Sequence, residues 1–328
     1  MPTGATSAVS AASRSTDEGP SRRGVERTLA MPKAITVRTL VWLTGQSFKS
    51  AFADNCFNIA KSAAFSATFS LFPGLLLVAA VLLRGNETEV VADISAALGQ
   101  VAPPRVHHLL AEYLSVPARY SAGWLLGAGL ATVLGSAQWM ISLMEAFRAA
   151  YRLPRSWSFW KEQGVAIALV FLAALPLSLA TGAMIFGRQL ENWLILEIGQ
   201  PGWLVLLVAA ARVLLAIGTI TLVLGILYHV GPSRSQKWAD VWPGALFATL
   251  LWFVSTLLFT LYVQHLARYN DIYGSIATFV VLLVWMYLLS SIVTIGCEFN
   301  AERERLRAAL AWEAGAESKQ VAKVEAAS

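Results

Sequence analysis

Charge is what this sequence has least of. Asp, Glu, Lys and Arg make up 14% of its 328 residues, against roughly 25% in soluble domains, too few to coat a water-soluble domain of this length. Histidine is nearly as scarce. His107, His108, His229 and His265 are the whole set, and none belongs to an H-E-x-x-H pattern. The two cysteines, Cys56 and Cys297, stand too far apart in sequence for a metal motif, and two are too few for a disulfide framework. There is no Walker loop and no G-x-G-x-x-G, so no nucleotide cofactor, and no cofactor of any kind, is expected. No grouped metal ligands and no carboxylate pair spaced for acid–base work are present, which argues against an enzyme. The first 30 residues lack the 7–15-residue apolar run of a signal peptide. Residues 1–38 are expected to form a disordered cytoplasmic tail, and 306–328 a helix end followed by a second disordered stretch from 314.

What the chain has instead is oil. Hydrophobic residues make up 56% of it and its mean hydropathy is +0.58. A helix crossing a bilayer needs about 20 mostly apolar residues. Six windows qualify, at about 63–83, 122–144, 164–187, 204–230, 243–263 and 275–297. None alternates with period two, so a membrane β-barrel is not expected. The reading is all-α: a polytopic membrane helix bundle over 39–305 with about six transmembrane helices plus short amphipathic interfacial helices. Several of the 12 Trp sit near the ends of apolar runs, as an interfacial belt places them. With six spans both termini share a side. That side holds 19 of the 25 Lys and Arg against 5 on the other, Arg212 being the remaining one. The positive-inside rule then puts both termini in the cytoplasm of a bacterial inner membrane.

The connections carry further elements. Residues 85–119 divide at Pro103-Pro104 into two amphipathic stretches, expected to lie against the outer surface. Leu190, Trp193, Leu194 and Ile198 suggest a third interfacial helix. Residues 40–61 read as an amphipathic helix feeding the first span, and 298–313 as a cytoplasmic extension of the sixth.

Helices in lipid associate through small residues and polar contacts rather than through hydrophobic burial. Gly123, Gly127, Ala131 and Gly135 form a stripe on span two, and Ala174, Ser178 and Gly182 another on span three. These are the expected central contact. Pro73 and Pro176 are expected to kink their helices.

Ionisable groups at membrane depth are the sharpest functional signal. Arg212 has apolar neighbours on both sides. It either contacts an anionic substrate or headgroup, or forms an ion pair, or span four starts near Val213 and Arg212 snorkels to the outer interface. Gln138, Ser142 and Glu145 share a face of span two; Tyr287, Ser291, Thr294 and Glu298 share one of span six. Both faces descend toward the inner side. They form one polar vestibule with two acids, or else Glu145 pairs with Arg148 and Glu298 with a basic residue at the headgroups. Ser66 and Ser70 share a face of span one, a weak signal because such hydroxyls bond their own backbone.

Tyr269-Asn270-Asp271-Ile272-Tyr273-Gly274-Ser275 is followed by Leu282-Leu283, Trp285, Tyr287, Gly296, Glu298 and Asn300. This block resembles the Y-x-x-x-Y-G-S … L-L-x-W-x-Y-L … G-x-E-x-N pattern of the YihY/BrkB family, also called virulence factor BrkB and, in older usage, ribonuclease BN. Trp238-Ala239-Asp240 with Pro243-Gly244-Ala245, Ser70-Leu71-Phe72-Pro73 after Ala63-Ala64, and Tyr228 with Pro232 add to the likeness, which covers roughly residues 50–305. Where the family often has an aromatic pair this chain has Phe65-Ser66, and where it often has Asn near the end of span two this chain has Arg148. The resemblance implies a six-helix inner-membrane protein with both termini inside. Asp240 belongs to the second of these segments. On the topology above Tyr273 stands at the outer mouth of span six and Glu298 at its inner end, and a gate at each end is an expectation.

The expected function is transport or export of a small molecule, ion or lipid-like substrate. The alternative is a non-transporting scaffold that supports envelope integrity. Ribonuclease activity is not expected. Partners are membrane lipids and the unidentified substrate, not nucleic acid; a homo-oligomer is compatible with the sequence.

Overall fold

The computed structural model describes residues 37–84, 122–198, 202–234, 236–265 and 270–325. The described residues form seven helices and no strand: α1 (Val37–Ala53), α2 (Cys56–Arg84), α3 (Ala122–Ala150), α4 (Phe159–Ile198), α5 (Gly202–Val230), α6 (Trp238–His265) and α7 (Asn270–Glu325). Six of them, α2 to α7, are long and apolar enough to cross a membrane, which bears out the all-helical, six-span reading. The chain divides into two compact units, 44–302 with the spans, and 1–43 with 303–328. In the smaller unit Thr39, Leu43 and Leu306 are buried.

Several boundaries differ from those read in the sequence. The amphipathic stretch at 40–61 is not one helix. Asn55 adopts φ 61°, a left-handed conformation that asparagine tolerates better than most residues, and it separates α1 from α2. Ser50 keeps the turn closed, its backbone carbonyl accepting from Asp54 N–H at 2.7 Å. The suggested interfacial helix at 190–198 is a continuation of α4, which runs 40 residues without a break. At the other end, α7 extends to Glu325, so the stretch after 314 that composition assigned to disorder is helical. Pro73 and Pro176 lie inside α2 and α4 without ending them. The two amphipathic stretches at 85–119 and the tail through 36 lie outside the described residues.

In the larger unit, neighbours in sequence pack as neighbours in space: α2 on α3, α3 on α4, α4 on α5 and α5 on α6. We call the end where α2 begins and α7 leaves the near end. Burial is uneven along the spans. Among the described residues, α3 buries no side chain before Ala137, α4 none after Leu169 and α5 none before Thr221. Near-end residues Ala137, Met140, Leu143, Met144, Phe147, Ala166, Leu227, Tyr228, Val241, Ala248 and Ile292 form the main core. Toward the far end, α6 and α7 keep a small cluster of Phe259, Val263 and Trp285, and Phe72 of α2 stacks on Phe279 of α7 at 6.2 Å.

Candidate functional site

The near end is where polar side chains collect, and backbone contact brings them there. Gly244 of α6 faces Gly296 of α7 so closely that a Cβ on Gly244 would sit 2.3 Å from the Gly296 carbonyl oxygen. A Cβ on Gly296 would meet the Tyr228 hydroxyl at 2.4 Å and Ala248 Cβ at 2.6 Å. Such an approach exposes backbone groups to side-chain partners. Asn300 Oδ1 accepts from Gly244 N–H at 2.7 Å, and its Nδ2 donates to the Val241 carbonyl at 2.9 Å. Tyr228, fully buried, donates to the Val293 carbonyl at 2.7 Å and meets Phe147 edge to face at 5.4 Å. Three spans are thereby locked by Tyr228, Gly244, Gly296 and Asn300.

Two further groups surround this junction. Glu298, 0% exposed, accepts a hydrogen bond from Cys56 Sγ at 3.4 Å. One turn further, Ser50 donates to Glu302 at 2.5 Å. On the other side, Arg148 pairs with Glu162 at 2.6 Å, their side chains 7% and 1% exposed. Glu162 also accepts from Arg155 Nε at 3.0 Å. The α3 terminus that presents Arg148 is closed by backbone bonds from Arg152 N–H to Ala149 O and from Leu153 N–H to Arg148 O. Arg152 stands there in the left-handed region at φ 54°, the Schellman arrangement. Arg152 also lies 3.6 Å from Asp54.

The residues singled out in the sequence are distributed as follows. Glu298 and Ser291 are buried, and the Ser291 backbone carbonyl accepts from Thr294 at 2.8 Å. Gln138 and Glu145 are exposed, and the contact between α3 and α7 is made instead by Trp139 Nε1 donating to Ser290 at 3.2 Å. The polar face of span two is therefore turned outward while Ser291, Thr294 and Glu298 of span six are buried. Nor does Arg148 take Glu145 one turn before it; its partner is Glu162, beyond the loop, because Arg148 points into the core while Glu145 points out. Asp240 is half-buried in the first turn of α6, its N–H donating to Lys237 O at 2.9 Å. Arg212 is half-buried ten residues into α5, its Cδ 3.5 Å from where a Cβ on Gly187 of α4 would be. From Val230 it is eighteen residues, roughly 27 Å, close to one hydrocarbon thickness. Tyr273 lies in the first turn of α7.

The small-residue stripes do not make the central contact. Gly123, Gly127 and Ala131 are exposed, and a Cβ on Gly127 would meet nothing within 4 Å. Ser178 is exposed and Gly182 has open space. Gly135 alone of the first stripe is tightly packed, and its neighbour is Ser70 of α2, whose Cβ would lie 2.7 Å from a Cβ placed on Gly135. Ser70 in turn donates to its own backbone at Ala67 O, 3.0 Å. Sequence reasoning missed Glu162 altogether and set Cys56 aside. The spacing of Arg148, Arg155 and Glu162 is too long for a helical-neighbour rule, and only the loop's path closes it.

This is a six-span helical membrane protein in which, among the described residues, the buried charged side chains gather at one end. The family model described as virulence factor BrkB matches residues 47–320, and the chain belongs to that family. A Bacillus subtilis protein named putative ribonuclease-like protein YfkH is 28% identical over 71% of this chain and 84% of its own length. UPF0761 membrane proteins of Rhodospirillum centenum and Laribacter hongkongensis are 26% and 29% identical, over 80% and 79% of this chain. This chain spans 58% and 61% of those two relatives. No solved structure matches it.

Proposed function

We propose that the protein transports an anionic, lipid-like or other amphipathic substrate across the bacterial inner membrane, with both termini in the cytoplasm. The observation that carries this reading is the uneven burial. Gly244, Gly296 and Gly231 are sterically locked at the near end, where Gly164 alone of the α4 glycines nearby is open, while a Cβ on Gly127, Gly182 or Gly218 would meet nothing within 4 Å and one on Gly187 would meet Arg212. In this reading the outward-facing side chains of α3, α4 and α5 beyond the clamped end are where a substrate from one leaflet is met. Arg212 belongs to this unburied half, where a cation attracts an anionic headgroup. The near end is the cytoplasmic one in this reading; its exposed Lys49, Lys61, Arg152, Arg155, Lys161 and Lys237 follow the positive-inside rule. The protein is read as a non-enzyme.

Proteoliposomes carrying purified protein test the reading. Fluorescent anionic phospholipid is expected to change leaflet faster than in empty vesicles, and Arg212→Ala to slow it several-fold. No acceleration for any lipid or amphipathic anion, together with an unchanged Arg212→Ala strain, would sink it. The second reading, a scaffold, is favoured by the locked junction of α5, α6 and α7. Under it Arg212→Ala leaves function intact and the purified protein moves no lipid.

A further inference from the structure

We infer that the first turns of α2 form a binding site for an anionic phospholipid of the near-end leaflet. Asn55, Asn58, Lys61, Phe65, Phe69 and Phe72 recur at intervals of three and four residues, so they share one helical face. That face is turned outward: Asn55, Asn58 and Lys61 are exposed, and Phe65, Phe69 and Phe72 are 60%, 72% and 39% exposed. Its chemistry is ordered along the axis. At the top, Asn58 Nδ2 donates to Asn55 Oδ1 at 2.5 Å, and Lys61 Nζ donates to Asn58 Oδ1 at 2.9 Å. This ladder draws the ammonium toward the end of the helix and, among the described residues, takes one of its three N–H donors. Below it, Phe65 and Phe69 stack at 6.1 Å with planes 26° apart, and Phe72 continues the stripe to Phe279.

A pinned cation above an aromatic stripe fits one kind of occupant. From Lys61 to Phe72 is eleven residues, roughly 16 Å, and one leaflet's hydrocarbon is about 15 Å deep. A phosphate on Lys61 thus lays its acyl chain along the three rings. The elbow at Asn55 leads back to α1, whose Phe48 and Phe52 are 40% and 80% exposed beside exposed Lys49, so the same apolar-and-basic character continues around the headgroup level. The site stands independently of transport; a scaffold would hold the lipid equally well.

Native mass spectrometry of the full chain, titrated with long-chain phosphatidylglycerol and phosphatidylcholine, tests the inference. Phosphatidylglycerol is expected to be retained preferentially. Lys61→Ala should weaken its retention about fivefold, the factor corresponding to about 1 kcal/mol for one basic residue at an anionic lipid surface. Lys61→Arg should retain it, and Phe65→Ala/Phe69→Ala should weaken it with the charge intact. All three positions are exposed, so elution as a monodisperse peak is expected throughout. Equal retention of both lipids, or unchanged retention in Lys61→Ala, overturns the inference. So does equal binding of glycerophosphoglycerol, which has the headgroup without chains.

Discussion

Gly244 and Gly296 cross with their backbones in contact, the space for a Cβ on Gly244 being occupied at 2.3 Å by the Gly296 carbonyl oxygen. That oxygen is backbone rather than a flexible side-chain end, so it cannot yield without moving its helix. Overpacking a tight site costs about 1–3 kcal/mol and sometimes more. Gly244→Ala and Gly296→Ala are each expected to lower the melting temperature in detergent sharply, or to leave no folded peak on size exclusion. Gly127→Leu, placed in open space, is expected to elute and melt as the parent does. A Gly127→Leu variant that unfolds while Gly296→Ala tolerates heating would contradict the packing described.

The buried pair of Arg148 and Glu162 makes a different prediction. Removing one member of a buried ion pair strands the other and typically costs about 3–5 kcal/mol, whereas replacing both with apolar residues is often near neutral. Glu162→Leu, which strands buried Arg148, is expected to destabilise strongly; Arg148→Met is expected to cost less because Glu162 keeps Arg155, and the double variant less than Glu162→Leu alone. Thermal unfolding of all four proteins gives the coupling. Additive losses would mean that the two side chains do not interact.

Tyr228 and Asn300 separate two degrees of dependence on one junction. Tyr228→Phe removes one donor from a carbonyl that lies within α7, and is expected to cost about 1 kcal/mol. Asn300→Ala strands both the Gly244 N–H and an interaction at the Val241 carbonyl, and is expected to cost about 2 kcal/mol or more. The order of the two melting temperatures checks this; the reverse order would contradict the network.

Glu145 and Gln138 point out of the bundle. Glu145→Gln and Gln138→Ala are expected to change stability by less than about 0.5 kcal/mol and to leave lipid movement in proteoliposomes unchanged. Loss of transport in either variant would return these residues to a pathway.

The amphipathic reading around residue 40 was right in kind and wrong in extent, because a single left-handed residue, Asn55, ends α1. The reading of Arg148 failed for a related reason. A helical-neighbour rule sees Glu145 one turn away, but the two residues project in different directions and the loop delivers Glu162 to the buried one. The stripes of small residues show the same limit: Gly127 and Gly135 are indistinguishable by spacing, yet one meets open space and the other meets Ser70. The Gly-x-Glu-x-Asn block was visible as a pattern, with no hint that its Gly and Asn serve a crossing with Pro243-Gly244.

Hydropathy alone determined that six helices cross a bilayer, because transferring a run of about 20 apolar residues with its backbone satisfied internally is a local property of each segment. Which faces of those helices meet was decided only in three dimensions. In lipid every apolar face is equally content to be exposed, so the choice falls to close backbone approach and to partners far apart in sequence, as with Gly244 on Gly296 and Ser50 on Glu302.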